Sequence, residues 1–130
     1  MSTSTTNQTI KDIILPPEDI PVMPPYTLLK EALEMMTAKR LGIACVIDDE
    51  GKLIGLFTDG DLRRMLLKSQ KPLSALFADD IIDHARMQFS SVDRNTSIEE
   101  ALTLLQRREI FDLPVLDNKG GLEGVIHLHP

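Results

Sequence analysis

Adding 69 to the residue number lays residues 27–58 over 96–127 without a gap, and nine of the 32 pairs are identical. They are Thr27/Thr96, Glu31/Glu100, Ala32/Ala101, Leu33/Leu102, Val46/Val115, Asp48/Asp117, Gly51/Gly120, Leu53/Leu122 and Gly55/Gly124. Shared apolar patterning accounts for some of these matches. It does not account for Asp-x-x-Gly-x-Leu-x-Gly recurring in register, because those positions set a turn and its exit. A chain that writes one supersecondary unit twice has few folds open to it.

The unit is legible in the first copy. Thr27 is placed to cap a helix, and Leu29, Ala32, Leu33, Met36 and Leu41 recur at near-helical spacing. Lys39 and Arg40 close its last turn, where the helix dipole favours cations, and Gly42 breaks it. Ile43-Ala-Cys-Val-Ile47 is a short apolar run that predicts a buried strand. Asp48-Asp-Glu-Gly51 is turn chemistry, and Leu53-Ile-Gly-Leu-Phe57 returns as a second strand, so the pair predicts a hairpin. Leu62, Met65 and Leu66, with Arg63, Arg64 and Lys68 opposite, predict a short amphipathic helix that stops before Pro72. Ahead of the unit, five prolines between residues 16 and 25 exclude a helix and leave residues 20–23 as an edge strand. Residues 1–9 are polar and predict a disordered tail.

Two such units each hold a small sheet with one face to cover. The expected fold class is α/β of the α+β type: two pseudo-symmetric motifs, at residues 10–71 and 72–130, with sheets packed around a pseudo-twofold axis and clefts at the seam. Composition narrows the function. Fourteen basic and 20 acidic residues give a net charge of −6, so no overall positive field draws the chain to nucleic acid or an anionic membrane. No apolar run approaches the roughly 18 residues of a membrane span. The lone Cys45 permits no internal disulfide and fits a reducing, cytoplasmic setting, with the thiol as inert core.

The run Gly55-Leu-Phe-Thr58-Asp59-Gly60-Asp61 ends the hairpin in a hydroxyl and two carboxylates. Thr58-x-x-Asp61 has capping-box spacing. The same geometry also suits a ligand: free N–H groups at a helix start attract phosphate, a threonine hydroxyl can join them, and a carboxylate accepts from ribose hydroxyls. Gly60 would admit close backbone approach. Arg63 and Arg64 lie on a helix face that is either solvated or a clamp on phosphate or carboxylate. His127 and His129 alternate on a strand with no acidic or cysteine partner, which predicts no metal centre, and Asp48-Asp-Glu50 lacks the ligand count of a calcium loop.

On these residues the chain resembles the paired CBS domains, or Bateman module, over roughly residues 11 to 130: residues 55–61 match the Gly-hydrophobic-x-Thr/Ser-x-x-Asp pattern that closes a CBS motif. Gly55-Leu-Phe-Thr-Asp-Gly-Asp-Leu-Arg-Arg64, with Gly124-Val-Ile-His127-Leu-His129, is similar to the CBS pair appended to arabinose 5-phosphate isomerases. Those enzymes serve the pathway to Kdo, a sugar of bacterial lipopolysaccharide or capsule. The resemblance implies a regulatory module that binds a nucleotide or nucleotide-sugar, with no catalysis and no required cofactor. An adenine nucleotide is the family-wide ligand, and CMP-Kdo is the one suggested by pathway logic. The base would lie along Leu41, Gly42, Ile43 and Ala44, the ribose at Asp61, and phosphate near Thr58, Asp59 and Gly60 with Arg63 and Arg64, while His127 and His129 close the other side. Implied partners are a second copy, as a homodimer, and a sugar isomerase domain in a parent chain. Pro130 stands where the second copy would carry the counterpart of Asp61, so the second motif lacks its terminal carboxylate and its following helix. The alternative is a module that binds nothing and serves oligomerisation.

Overall fold

The computed structural model describes residues 9–128. In chain order these form β1 (Val22–Met23), α1 (Leu29–Lys39), β2 (Ile43–Ile47), β3 (Leu53–Thr58), α2 (Asp59–Lys68), α3 (Leu73–Phe77), α4 (Ile98–Arg108), β4 (Asp112–Leu116) and β5 (Leu122–His127). Short 3-10 turns lie at Ile10–Asp12, Pro17–Asp19 and Ile81–Asp83. The class is α+β, with small sheets and flanking helices, as the sequence predicts. Of the proposed polar tail only Thr9 is described, and it is no tail: it bridges to Ser97. His129 and Pro130 fall outside the described residues.

The repeat is reproduced rung by rung. β2 and β3 pair antiparallel with Ile43 opposite Thr58 and a register shift between Val46 and Ile47. β4 and β5 pair with Asp112 opposite His127 and the same shift between Val115 and Leu116. Both turns close alike: the Asp48 carboxylate accepts from the Glu50 and Lys52 amides, as that of Asp117 does from Lys119 and Gly121. Gly51 and Gly120 take φ of 82° and 85°, a left-handed conformation that glycine adopts without steric cost. β1 adds to β2 in parallel as the predicted edge strand.

Helix ends depart from the sequence reading. Thr27 does not cap α1; its hydroxyl donates to the Pro24 carbonyl at 2.9 Å, and Leu28 holds the N-cap position with its amide donating to Glu31 at 3.4 Å. In α4 the cap is Ser97, whose hydroxyl accepts from the Glu100 amide at 3.0 Å. Gly42 does not end α1 either. Arg40 does, at φ 59°, with its amide donating to the Thr37 carbonyl and that of Leu41 to Met36. These two bonds form a Schellman motif. Glu109 and Ile110 repeat it at the end of α4, with φ 56° at Glu109.

The chain forms two compact units, residues 18–89 and residues 1–17 with 90–130. They differ from the motif division in one respect: the segment leading into each copy packs with the other copy. In the first unit, Arg86 and Leu56 exchange both backbone hydrogen bonds, at 2.8 and 2.9 Å. In the second, Leu15 and Val125 do the same at 2.8 and 3.0 Å. These segments explain the repeated glycine. A Cβ at Gly55 would come 3.0 Å from Ala85 Cβ, and one at Gly124 would strike the Leu15 carbonyl. Ile81 and Ile10, both fully buried, anchor the segments through hydrogen bonds to the carbonyls of Thr27 and Thr96.

Each unit has its own core. The first is built on Leu29, Ala32, Met36, Ala44, Val46, Phe57, Leu76 and Ile81, the second on Ile10, Ala101, Leu105, Leu113, Val115 and Ile126. Cys45 is buried. Among the described residues no helix is long and apolar enough to cross a membrane.

Candidate functional site

Thr58 is the last residue of β3 and the N-cap of α2, with extended backbone at φ −120° and ψ 167°. Its hydroxyl accepts from the Asp61 amide at 3.2 Å, while the Asp61 carboxylate accepts from the Thr58 amide at 3.0 Å. The capping box is therefore present. More converges on it. The Thr58 hydroxyl donates to Asp61 Oδ2 at 3.0 Å, Arg64 Nη2 donates to Oδ1 at 2.8 Å, and Arg86 Nε lies 3.0 and 3.1 Å from the two oxygens. Burial, with the Asp61 side chain 8% exposed, pushes its carboxyl up. The Arg64, Thr58 and Arg86 donors outweigh burial and hold it below the usual carboxylate value. Gly60 serves this cluster, since a Cβ there would come 3.2 Å from Arg64 Nη2.

Beside the cap lies a hollow of about 470 Å³ whose walls include Met36, Arg40, Leu41, Gly42, Asp59 and Leu62. Gly42 is small for a reason other than helix breaking: a Cβ there would sit 2.5 Å from Asp59 Oδ2. The Asp59 amide donates to the Gly42 carbonyl at 3.0 Å, adding a rung beyond the β2–β3 ladder. Of the residues singled out in the sequence, Leu41, Gly42 and Asp59 line this hollow, and Thr58, Gly60, Asp61 and Arg64 form the neighbouring cluster. Ile43 and Ala44 turn their side chains into the core, at 1% and 0% exposure, so only their backbone is left for contact. Arg63 is exposed and makes no ion pair among the described residues.

The second copy carries different chemistry on the same rungs. His127 replaces Thr58, and its Nδ1 lies 2.6 Å from Oδ1 of Asp112, the counterpart of Ile43. Phe111 and Leu128 stand where the first copy has Gly42 and Asp59, again joined by a 3.0 Å backbone bond. A larger hollow, of about 770 Å³, occupies this unit between α4 and the segment at Ser91. Its walls bring Asp93, Glu99, Glu100 and Asp117 against Arg107, a balance that opposes an anionic ligand. Volume alone would favour it; charge favours the smaller hollow.

Two residues of these clusters are absent from the sequence reading, Arg86 and Asp112. Asp112 is deducible from hairpin register, which sets it opposite His127. Arg86 carries a fainter signal. Ile10-Lys-Asp12 and Ile81-Ile-Asp83 match at an offset of 71, which marks residues 80–86 as part of a repeated leading segment.

Residues 10–68 and 78–129 match the family described as CBS domain. The chain belongs to the CBS domain family. Among its relatives is an uncharacterized protein of Helicobacter pylori, 35% identical over 124 residues. Another is the arabinose 5-phosphate isomerase KdsD of Yersinia pestis, 35% identical over 120 residues. In both cases 92% of this chain aligns with 35% of the relative, so the CBS chain spans about a third of these proteins. The crystal structure of CBSX2, a CBS-pair protein from Arabidopsis thaliana, matches with a TM-score of 0.80 at 30% identity, covering 94% of this chain and 89% of that one. CBSX2 in complex with AMP matches at 0.79.

Proposed function

We propose that this CBS pair is a regulatory module that senses a nucleotide through the first unit, without catalysis of its own. The carrying observation is the juxtaposition of the Gly42 hollow with the Thr58 cap at one end of the hairpin. A base fits the hollow beside the backbone of residues 41–44, next to the Asp59 side chain that lies over Gly42, and a phosphate fits the polar cluster at the start of α2. The AMP bound by CBSX2, at 30% identity, supports an adenine nucleotide as the first ligand to try. The likeness to KdsD supports a parent sugar isomerase of lipopolysaccharide or capsule synthesis in the cytoplasm, and makes CMP-Kdo the second ligand to try. Calorimetry on the folded chain with AMP, ATP, CMP and CMP-Kdo tests the reading. Absence of heat with all four would defeat it.

Assembly is the second reading, and it too has an observation behind it. Leu66 and Leu67 near the end of α2 and Leu73 at the start of α3 are 47%, 81% and 51% exposed. Exposed apolar side chains on these successive helices suit pairing with a second copy. Sedimentation of the wild type and of Leu67→Glu separates the readings. A dimer lost in the variant, with no nucleotide bound by the wild type, would favour assembly as the sole function.

A further inference from the structure

We propose that the start of α4 is a docking surface for a short apolar helix of a longer parent chain, joined ahead of residue 1 and seated on the second unit as α3 is seated on the first. The inference rests on the parent-chain part of the proposed function and names the place where that chain returns to this one.

The first unit shows what such a helix does. α3 packs against α1, Leu76 is 3% exposed and shares the core with Leu29, Ala32 and Met36, and Phe77 packs on its margin. The chain then passes the start of α1 in fixed register. The Leu29 amide donates to the Asp79 carbonyl at 2.8 Å, Asp80 bridges to Leu28, and the Ile81 amide donates to the Thr27 carbonyl at 2.7 Å. Under this cover Leu29 is wholly buried.

The second unit repeats the register without the cover. Thr9 bridges to Ser97 as Asp80 does to Leu28, and the Ile10 amide donates to the Thr96 carbonyl at 3.1 Å as that of Ile81 does to Thr27. Among the described residues its core has no member ahead of Ile10, and so no counterpart of Leu76. Ile98, the counterpart of Leu29, is only half-buried, as is Leu102 one turn further along α4. Thr9 adds a polar sign of the same gap: its Oγ1 is buried with no hydrogen-bond partner among the described residues, whereas buried polar atoms are normally paired.

Residues 1–8 do not carry the missing side chain. At the offset of 71, Thr5 and Thr6 stand for Leu76 and Phe77, and Met1 is the one apolar residue of the eight. The matched segment is about a third of the KdsD relative, so a parent chain of that kind has other segments to offer. Eight residues span at most about 29 Å. A helix tethered through them stays within reach of Ile98, at an effective concentration on the order of millimolar.

The test replaces residues 1–8 with the sequence of residues 72–79, Pro-Leu-Ser-Ala-Leu-Phe-Ala-Asp, behind a new initiator methionine. The graft is expected to raise the midpoint of thermal unfolding by about 5 °C, the effect of one newly buried leucine in a chain of this size. The rise should vanish when serine takes the place of the leucine copied from Leu76, and when the graft is made on Ile98→Ser. A graft that gains nothing, or gains equally on Ile98→Ser, would overturn the docking surface; circular dichroism of Ile98→Ser alone verifies that this background folds. Sedimentation of the unaltered chain tests the other occupant: a dimer that Ile98→Ser dissociates would give the face to a second copy and overturn the parent-chain assignment. An immunoblot of the native protein judges the parent chain separately. A product no larger than this 14.5 kDa chain would sink that reading and the occupant with it, whatever the graft shows of the surface.

Discussion

Ala44 and Phe57 face each other across β2 and β3, and Leu113 and Ile126 hold the same rung of β4 and β5. All four are fully buried. One copy fills the rung with a small and a large side chain, the other with two of middle size, so the same number of side-chain carbons is divided differently. The substitutions Phe57→Ile and Ala44→Leu should therefore rescue each other. Phe57→Ile removes about one methylene's worth of burial and leaves a small void, which costs about 1–1.5 kcal/mol. Ala44→Leu forces a branched chain into filled space and costs about 1–3 kcal/mol. Additive behaviour predicts a double variant some 2–4.5 kcal/mol below wild type. Shared space predicts one within about 1 kcal/mol, with a coupling energy of about 1–3 kcal/mol. Urea titration followed by far-UV circular dichroism is the suitable assay, because the chain has no tryptophan and its single tyrosine, Tyr26, is 75% exposed. The m-value should stay constant across the cycle. Additivity to within about 0.5 kcal/mol would refute the reasoning, since it would mean that each unit repacks its core independently of this rung.

Three further outcomes are expected. Asp61, Asp79 and Asp117 all have carboxyls held below the ordinary 3.8: Asp61 against its burial by Arg64, Thr58 and Arg86, Asp79 by Lys71 and then His84, Asp117 by the Gly121 and Lys119 amides. The unfolded chain therefore binds more protons than the native one below that value, so stability is full above it and is lost as pH falls through the native values. A urea midpoint that stays flat between pH 5 and acid would contradict this. At the end of α4, Glu109→Gly relieves a left-handed residue and should stabilise by about 0.5–1 kcal/mol, read as a raised urea midpoint; an unchanged or lowered midpoint would count against the Schellman assignment. Gly124→Ala drives a Cβ onto the Leu15 carbonyl, whereas Gly55→Ala meets only a side-chain methyl at 3.0 Å. The first should cost about 1–3 kcal/mol and more than the second, and the reverse order in melting would discard the close-approach explanation.

The repeat carried the fold because turn chemistry is local. Asp48 and Gly51 build their turn from their own side chain and backbone, so the same letters at Asp117 and Gly120 guarantee the same hairpin. The caps were less legible. Thr27 and Thr96 match in sequence, yet neither caps its helix, because the next residue takes the position and only Ser97 has the hydroxyl for it. Gly42 reads locally as a helix breaker, but its size is set by Asp59, a residue 17 positions away that the ladder brings over it. Arg86 is harder still. The segment around it repeats only at Ile10/Ile81 and Asp12/Asp83, and its partner Asp61 is reached only because the leading segment of one copy packs on the hairpin of the other.

That crossing of segments bears on why the two copies have drifted apart chemically while their backbones remain alike. The hairpin rungs and the leading segments are bound main chain to main chain, so they tolerate substitution of the side chains that flank them. Thr58 to His127, Ile43 to Asp112 and Gly42 to Phe111 are changes of this kind, and each leaves its rung in place. The cluster at Asp61 is of the opposite kind, because three of its four donors are side chains, those of Thr58, Arg64 and Arg86, beside the Thr58 amide. A duplicated frame that holds itself by main-chain bonds leaves each copy free to carry its own side-chain chemistry. In the first copy that freedom has produced a carboxylate held by the cap of α2 and by two guanidinium groups.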